Sequence, residues 1–187
     1  MNEPGTVSVV IPVFNEAANL PALIARCLAA CGRIGAAYEL ILVDDGSSDG
    51  STDRIRDLAA KDERVRPVIF ARNFGHQIAI SAGIDLATGE AVVLMDGDLQ
   101  DPPELLSTMI ARWREGYEVV YARRNTRAGE GAFKRWTAAL FYKLLSRLSS
   151  VDIPQDVGDF RLVDRRVLEV FRQTAVDFDR TARAAGE

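Results

Sequence analysis

The sequence predicts an α/β fold in which helices cover both faces of a mostly parallel sheet. Over the first 122 residues, short apolar runs rich in Val, Ile and Leu alternate with longer segments of helical periodicity. Such alternation is typical of βαβ units, and unbroken apolar runs are typical of strands buried on both faces. The 187 residues suffice for one sizeable domain. They contain no internal repeat and no low-complexity tract that would divide the chain.

Two strand–helix units open the chain. The apolar run Val7–Val13 predicts the first strand, and apolar residues at helical spacing over Leu20–Cys31 predict a helix that ends at Gly32. Residues 38–43 predict a second buried strand. This strand runs into a polar turn, which is followed by a helix that carries Ile55 on its apolar side.

Three further strands follow. Residues 65–70 predict the third strand and residues 78–86 predict the helix behind it. Residues 91–95 are an apolar run that predicts the fourth strand. A helix with its apolar face over residues 105–113 comes next, and residues 118–122 predict a fifth strand.

Acidic residues gather directly after the fourth predicted strand. Asp96, Gly97 and Asp98 follow it, and Gln100 and Asp101 come next. Two carboxylates and an amide oxygen this close together form a hard-oxygen site for Mg²⁺ or Mn²⁺. A solvated acidic turn is the alternative, but two carboxylates one residue apart repel each other unless a cation or a proton settles them. Asp101 is expected to cap the helix that follows.

Polar residues follow three of the predicted strands at their carboxyl ends. These segments are residues 12–16, 44–46 and 96–100. Ligands of open α/β sheets bind beyond the carboxyl ends of the strands. We therefore expect the three segments to converge on one edge of the sheet and to form an active site there.

The net charge and the cysteines indicate which classes of ligand and which cellular compartment to expect. The net charge is −4, so no global basic field attracts nucleic acid, and an anionic ligand would need local positive charge or a metal. Cys27 and Cys31, the only cysteines, lie about one helical turn apart, which favours buried thiols over a metal pair or a disulfide. This fits a reducing, cytoplasmic compartment. The sequence shows no signal peptide and no apolar run of transmembrane length.

The pattern changes after residue 122. Arg123, Arg124 and Arg135 belong to a group of five basic residues within thirteen positions, with two glycines among them. This segment is either a clamp for a pyrophosphate or a solvated basic loop, and composition does not separate the two. Residues 133–148 predict a helix with one broad apolar face, which either packs on the sheet or lies in a membrane interface. We favour partial contact with a membrane surface.

The sequence suggests more than one role for Asp159 and for His76. Asp159 lies in a glycine turn before a short predicted strand, where it either closes the turn or supplies a second catalytic carboxylate. His76 is the only histidine. We expect it to be a structural hydrogen-bond donor and not a base, because no acid that could orient it lies near it in sequence.

Several stretches of the sequence resemble those of family 2 glycosyltransferases with the GT-A fold. They read V-V-I-P-V-F-N-E (9–16), V-D-D-G-S-S-D-G-S (43–51), R-N-F-G-H-Q (72–77), M-D-G-D-L-Q-D-P-P (95–103) and G-D-F-R-L-V-D-R (158–165). The resemblance is narrowest for the polyprenyl-phosphate group, which contains dolichol-phosphate mannose synthases and bacterial undecaprenyl-phosphate glycosyltransferases. V-D-D-G-S marks only the broad family, whereas D-G-D-L-Q-D-P-P is much more specific.

The resemblance implies a Rossmann-like GT-A fold and a role for each matching residue. The nucleotide sugar would be bound by Pro12, Phe14, Glu16, Val43, Asp44, Asp45, Asp96 and Gly97. The metal would be held by Asp96, Asp98 and Gln100. Phosphate oxygens of donor or acceptor would meet Arg123, Arg124 and Arg135. Asp98 and Asp159 would act in catalysis.

The resemblance also implies the reaction, a single inverting displacement at the anomeric carbon with a nucleoside diphosphate as leaving group. The donor would be of the UDP-glucose or GDP-mannose class, and the acceptor would be a polyprenyl phosphate at the cytoplasmic face of the membrane. The acceptor phosphate is already mostly ionised near neutral pH. It needs little deprotonation, so Asp159 would orient the acceptor instead of acting as a base.

The same resemblance suggests how the chain is organised. Residues 1–122 would form the nucleotide-sugar-binding half, residues 123–172 an acceptor-side segment of the same domain, and residues 173–187 an atypical, disordered tail. Members of the group usually continue further, so we expect a chain shortened at its C-terminus.

Three other functions compete with glycosyl transfer. A D-x-D phosphohydrolase would carry its acidic motif after the first strand, whereas here the motif follows the fourth. An enzyme that makes sugar nucleotides would need a basic, Gly-rich loop after the first strand, and Phe14-Asn15-Glu16 stands there instead. A donor-binding remnant that has lost transfer activity stays open, because the acidic motif is intact.

Overall fold

The computed structural model describes residues 5–33, 35, 37–123 and 157–170. The strands are β1 (Val7–Val13), β2 (Tyr38–Asp44), β3 (Val65–Ile69), β4 (Ala91–Leu94), β5 (Val119–Arg123) and β6 (Val157–Asp164). The α-helices are α1 (Leu20–Cys31), α2 (Ser51–Lys61), α3 (His76–Leu86) and α4 (Leu106–Arg114). A further helical segment covers residues 165–170. The helix predicted over residues 133–148 and the tail predicted from residue 173 lie outside the described residues.

The six strands of the described part of the chain belong to one sheet, in the order β3-β2-β1-β4-β6-β5. β1 pairs in parallel with β2 and β4, and β2 pairs in parallel with β3. β6 pairs antiparallel with both β4 and β5, between which it is inserted. The mostly parallel α/β sheet predicted from the sequence is thus confirmed.

Helices cover both faces of the sheet, as predicted. On one face α1, α2 and α4 pack on the apolar side chains of the strands, and fully buried Ile24, Ile55 and Ile110 come from these helices. On the other face α3 packs on Val10, Val43 and their neighbours. Because the strands are covered on both faces, they need apolar side chains on both faces. This is why they appear in the sequence as continuous apolar runs.

Gly83 lets α3 approach the sheet closely. A Cβ atom placed on Gly83 would lie 2.2 Å from Cγ1 of Val10 and 3.2 Å from Cγ2 of Val43. The absence of a side chain at this position therefore sets the distance between α3 and strands β1 and β2.

A buried polar cluster closes the amino end of the sheet. The carboxylate of Glu39 accepts hydrogen bonds from the Ser8 hydroxyl at 2.6 Å and from the Thr88 amide and hydroxyl at 2.8 Å each, and it also pairs with Arg66. Burial opposes ionisation of this carboxyl, but the hydrogen bonds outweigh burial and lower the pKa of Glu39 to about 2.

The two cysteines behave as the sequence predicted. Cys27 and Cys31 are buried on the inner side of α1. Burial raises the pKa of each thiol to about 12, so these side chains act as small apolar groups.

The predicted start of the helix after the acidic motif is wrong in one detail. The chain enters α4 through a 3-10 turn over Pro103–Leu105, whose N-cap residue is Pro102 without a side-chain cap. Asp101 is buried and does not cap this turn. Two consecutive prolines fix the backbone just where a capping aspartate would have to stand.

Within the described ranges, no helix has both the length and the apolar character that a membrane crossing requires.

Candidate functional site

The loops that follow β1 and β2 are joined by hydrogen bonds from backbone to side chain. The Asn15 amide donates to the Ser47 hydroxyl, and the Ser48 amide donates to the Asn15 side-chain oxygen, both at 2.9 Å. The Glu16 amide donates to the Ser51 hydroxyl, also at 2.9 Å. Asn15 has a φ of 58°, which asparagine tolerates better than most residues. The polar V-D-D-G-S-S-D-G-S stretch therefore holds the first strand's loop in place.

Asp49 adds a further bond to this junction. One of its oxygens accepts the Ala17 amide at 2.9 Å, and the other accepts the Ser51 hydroxyl at 2.6 Å. The hydrogen bond from Ser51 is the main reason that the pKa of Asp49 is lowered.

Asp44, the last residue of β2, is fully buried. Its carboxylate accepts the Ser47 amide at 3.0 Å and also accepts the Thr52 hydroxyl. These contacts tie the loop to the start of α2. They favour a supporting role for Asp44 over the direct contact with the nucleotide that the resemblance implied.

Asp45 holds a second loop against the same edge. Its oxygens accept the Phe74 amide at 2.7 Å and the Gly75 amide at 2.9 Å, and its own amide donates to the Val13 carbonyl at 2.8 Å. Asp45 is only 3% exposed. The carboxylate therefore connects the carboxyl ends of β1 and β2 to the segment that opens α3.

Gly46 allows the two loops to touch. Its φ is 71°, and a Cβ atom on it would lie 2.4 Å from the carbonyl carbon of Arg72. Any side chain at this position would meet backbone, so the contact requires glycine.

A cleft of about 270 Å³ opens at this edge of the sheet. The residues that line it are Pro12, Val13, Phe14, Asp45, Asn73, Gly75, His76 and Ala79. Phe14 is 49% exposed, which leaves an aromatic face open to a ligand. Three of the residues predicted to bind the nucleotide sugar, Pro12, Phe14 and Asp45, thus lie together in one cleft.

Glu16 and Val43, predicted for the same purpose, lie beside the cleft and not among its lining residues. Glu16 is partly buried, and its carboxylate accepts the Asn19 side-chain amide at 2.5 Å. The Val43 side chain is fully buried in the layer between sheet and α3.

The acidic motif forms a tight turn after β4. Leu99 has a φ of 63°, and the Gln100 amide donates to the Asp98 carboxylate at 3.0 Å. Buried Gly97 lies against β1, since a Cβ on it would be 3.1 Å from the Pro12 carbonyl oxygen. Asp96 is partly exposed. The turn therefore lies next to the cleft, as the convergence of strand ends predicted.

The contact between His76 and Asp96 was not predicted from the sequence. The Nε2 atom of His76 lies 3.7 Å from Oδ1 of Asp96. The acid that was missing near His76 in sequence is supplied across the sheet edge by the D-x-D turn. The motif R-N-F-G-H-Q, which leads from β3 into α3, together with the convergence of strand ends, was the signal that could have revealed this pair.

The side-chain oxygens of the acidic motif are the kind of ligand that a hard divalent cation prefers. Among the residues that the structure describes, no group of three or more His, Cys, Asp or Glu side chains is gathered closely enough to hold a metal. Asp96 and Asp98 supply two carboxylates, and Gln100 an amide oxygen. Mg²⁺ commonly binds through one or two carboxylates, with substrate phosphates and water completing its coordination, so this set fits such an ion.

The residues predicted to bind phosphate or to act on the acceptor side are described only in part. Arg124 and Arg135 lie outside the described residues, and Arg123 is the last residue of β5. Asp159 belongs to β6. Asp159 lies within the strand and not in a turn before it, two residues before Arg161, which pairs with Leu94 at the end of β4.

The comparisons with known proteins agree with one another. A family model described as "Glycosyl transferase family 2" matches residues 8–171. The chain is 47% identical to "Uncharacterized glycosyltransferase YkcC" of Bacillus subtilis (strain 168), over 96% of this chain and 62% of that protein. It is 40% identical to "Bactoprenol glucosyl transferase" of Shigella phage SfV, over 87% of this chain and 53% of that protein. The chain thus spans between about half and two thirds of the length of these relatives.

Solved structures with the same fold include two further proteins. One is mannosyl-3-phosphoglycerate synthase from Rubrobacter xylanophilus, with a TM-score of 0.63, 21% identity, and coverage of 87% of this chain and 54% of that one. The other is the mannosyltransferase PcManGT from Pyrobaculum calidifontis in complex with GDP-Man and Mn²⁺, with a TM-score of 0.58, 22% identity, and coverage of 91% and 48%. At this level of identity the likeness shows the GT-A fold alone.

Proposed function

We propose that this chain, which belongs to glycosyl transferase family 2, moves a sugar from a nucleoside diphosphate sugar to a polyprenyl phosphate. The observation that carries the proposal is the placement of the D-x-D turn beside a cleft at the carboxyl edge of the sheet. A cleft that offers an aromatic face next to hard-oxygen ligands suits a nucleotide with its diphosphate.

The donor we propose belongs to the UDP-glucose or GDP-mannose class. Support for glucose comes from the Shigella phage relative, which is described as a bactoprenol glucosyl transferase. Support for the mannose alternative comes from fold neighbours, one of which was solved with GDP-Man. We place UDP-glucose first because the glucosyl relative is much closer in sequence.

We further propose that Asp96, Asp98 and Gln100 hold a Mg²⁺ or Mn²⁺ ion. Such an ion supplies positive charge that offsets the negative charge developing on the departing diphosphate. The three residues lie within one short turn, in which Leu99 has a φ of 63°, so little ordering is needed on binding. The second acid, Asp98, is fixed by its bond to the Gln100 amide.

On the acceptor side, the phosphate of the polyprenyl phosphate is its own nucleophile in this proposal. Asp159 orients it; the residue lies in β6, two positions before Arg161, which pairs with the last residue of β4. Arg123, Arg124 and Arg135 bind phosphate oxygens of donor or acceptor. The reaction inverts the anomeric centre and takes place at the cytoplasmic face of the membrane, where the lipid headgroup is presented.

A thermal-shift screen with Mn²⁺ tests donor binding. UDP-glucose or GDP-mannose at one hundred times its Kd should stabilise the chain by about 2.7 kcal/mol, which corresponds to a rise in Tm of about 5–10 °C. EDTA should remove the shift. The same shift with and without EDTA would contradict the metal assignment.

A transfer assay tests the reaction itself. The purified chain is incubated with radiolabelled donor and a short polyprenyl phosphate in detergent, and labelled lipid is counted. Asp98→Asn should lower kcat by about 10²–10³-fold, whereas Asp57→Asn, an exposed acid on α2, should leave it unchanged. Donor binding without any transfer would favour the donor-binding remnant instead.

A further inference from the structure

We propose that His76 is a further donor-binding residue, whose ring N–H hydrogen-bonds the diphosphate of the donor beside Asp96. The inference rests on the proposed function, since it assumes that a nucleoside diphosphate occupies the cleft. It adds a contact that neither the acidic motif nor the arginines of residues 123–135 supply.

The first argument is the composition of the cleft. Its lining contains the carboxylate of Asp45 together with apolar residues, glycine and Asn73. Of these lining side chains, only His76 and Asn73 offer a side-chain N–H. A diphosphate needs hydrogen-bond donors in addition to its cation, because each of its oxygens is a strong acceptor.

The second argument is distance. Nε2 of His76 lies 3.7 Å from Oδ1 of Asp96, which is longer than a hydrogen bond. The imidazole therefore stands beside the proposed metal ligand. The His76 side chain is 43% exposed, so a ligand reaches it from the cleft. A phosphate oxygen bound near Asp96 would lie within reach of the ring nitrogen.

The third argument is that the position of His76 is built into the fold. The two preceding amides, of Phe74 and Gly75, are both held by the buried carboxylate of Asp45. Gly46 packs directly on the backbone of Arg72 and Asn73. The ring is thus presented by a segment tied to the sheet, and ordering it on binding should cost little.

Calorimetry with two ligands isolates this contact. For wild type and variants, the affinities for UDP and for uridine are measured in the presence of Mn²⁺, or those for GDP and guanosine if the wild type prefers GDP. His76→Ala and His76→Phe should weaken binding of the diphosphate by about 10–100-fold, the loss expected for one hydrogen bond to a charged group. Affinity for the nucleoside should not change, because it lacks the diphosphate.

Two more variants distinguish loss of the His76–diphosphate hydrogen bond from a general disturbance of the cleft. His76→Gln keeps a side-chain N–H and should recover part of the lost affinity for the diphosphate. Gln77→Ala, at the neighbouring exposed position of α3, should bind like wild type. Equal UDP affinity in His76→Ala and wild type would overturn the inference, as would an equal loss for UDP and uridine. No UDP binding by the wild type would instead refute the proposed function.

Discussion

Replacing Asp45 by asparagine should destabilise the fold by a predictable amount. In the wild type, the two carboxylate oxygens accept one backbone amide each, from Phe74 and Gly75. An asparagine side chain has only one oxygen, so its NH₂ group would face the second amide, donor against donor. The residue is 3% exposed, so water cannot readily replace the lost partner.

The magnitude follows from the loss of one bond to a charged acceptor. Such a bond contributes about 1.5–3 kcal/mol. For a chain of this length each kcal/mol lowers Tm by about 2–4 °C, so Asp45→Asn should melt about 3–12 °C below the wild type. Differential scanning calorimetry measures this directly. Affinity for the nucleoside diphosphate should fall as well, because the same carboxylate places His76.

The control is Asp57→Asn, which makes the same chemical change at an exposed position of α2. It should shift Tm by little, as surface substitutions usually do. If Asp45→Asn melts no lower than Asp57→Asn, the two amide contacts do not stabilise the fold and the reasoning is refuted.

Three other predictions concern separate parts of the molecule. Since the pKa of Glu39 is lowered to about 2, the ionised carboxylate contributes its full stability above its ordinary pKa of 4.5, and this contribution is lost as pH falls from 4.5 through about 2. The free energy of unfolding of Glu39→Gln, measured with urea, should therefore fall less steeply below about pH 4.5 than that of wild type. Parallel declines in the two proteins would contradict this. Gly83→Ala would bring a Cβ to 2.2 Å from Val10, so overpacking should cost about 1–3 kcal/mol by urea unfolding, and an unchanged midpoint would show that α3 shifts freely. Asp159→Asn should leave UDP affinity near that of wild type and lower transfer modestly, whereas a fall in kcat of about 10²–10⁴-fold would indicate a general base, and lost UDP binding would void its placement on the acceptor side.

Local patterns were sufficient to predict most of the fold. The strands buried on both faces appear in the sequence as continuous apolar runs, and their ends in the structure differ from the predicted ones by a residue or so. The convergence of polar strand ends could also be predicted, because parallel strands bring their carboxyl ends to one edge. The position of β6 between β4 and β5 could not, since strand order depends on pairing between distant segments.

The details of the site depended on contacts that sequence spacing does not encode. The carboxylate of Asp45 binds amides about thirty residues away, and His76 meets Asp96 across a strand connection. Asp44 and Asp45 are neighbours and both are buried, yet Asp44 binds groups before and at the start of α2 whereas Asp45 binds the segment before α3. Asp101 does not cap the helix as expected, because the two prolines that follow it impose their own backbone geometry.

The insertion of β6 between β4 and β5 has a consequence for how the chain matures. During synthesis β4 emerges long before β6, and at ordinary rates the wait between them is roughly 4–14 s. Throughout that time β4, whose neighbour on one side is β1, presents its other edge unpaired, and β5 has no sheet partner. Open strand edges favour pairing with other chains. Residues 1–122 alone should therefore aggregate on release from the ribosome, and this part of the chain should gain its solubility only when residues 157–164 arrive.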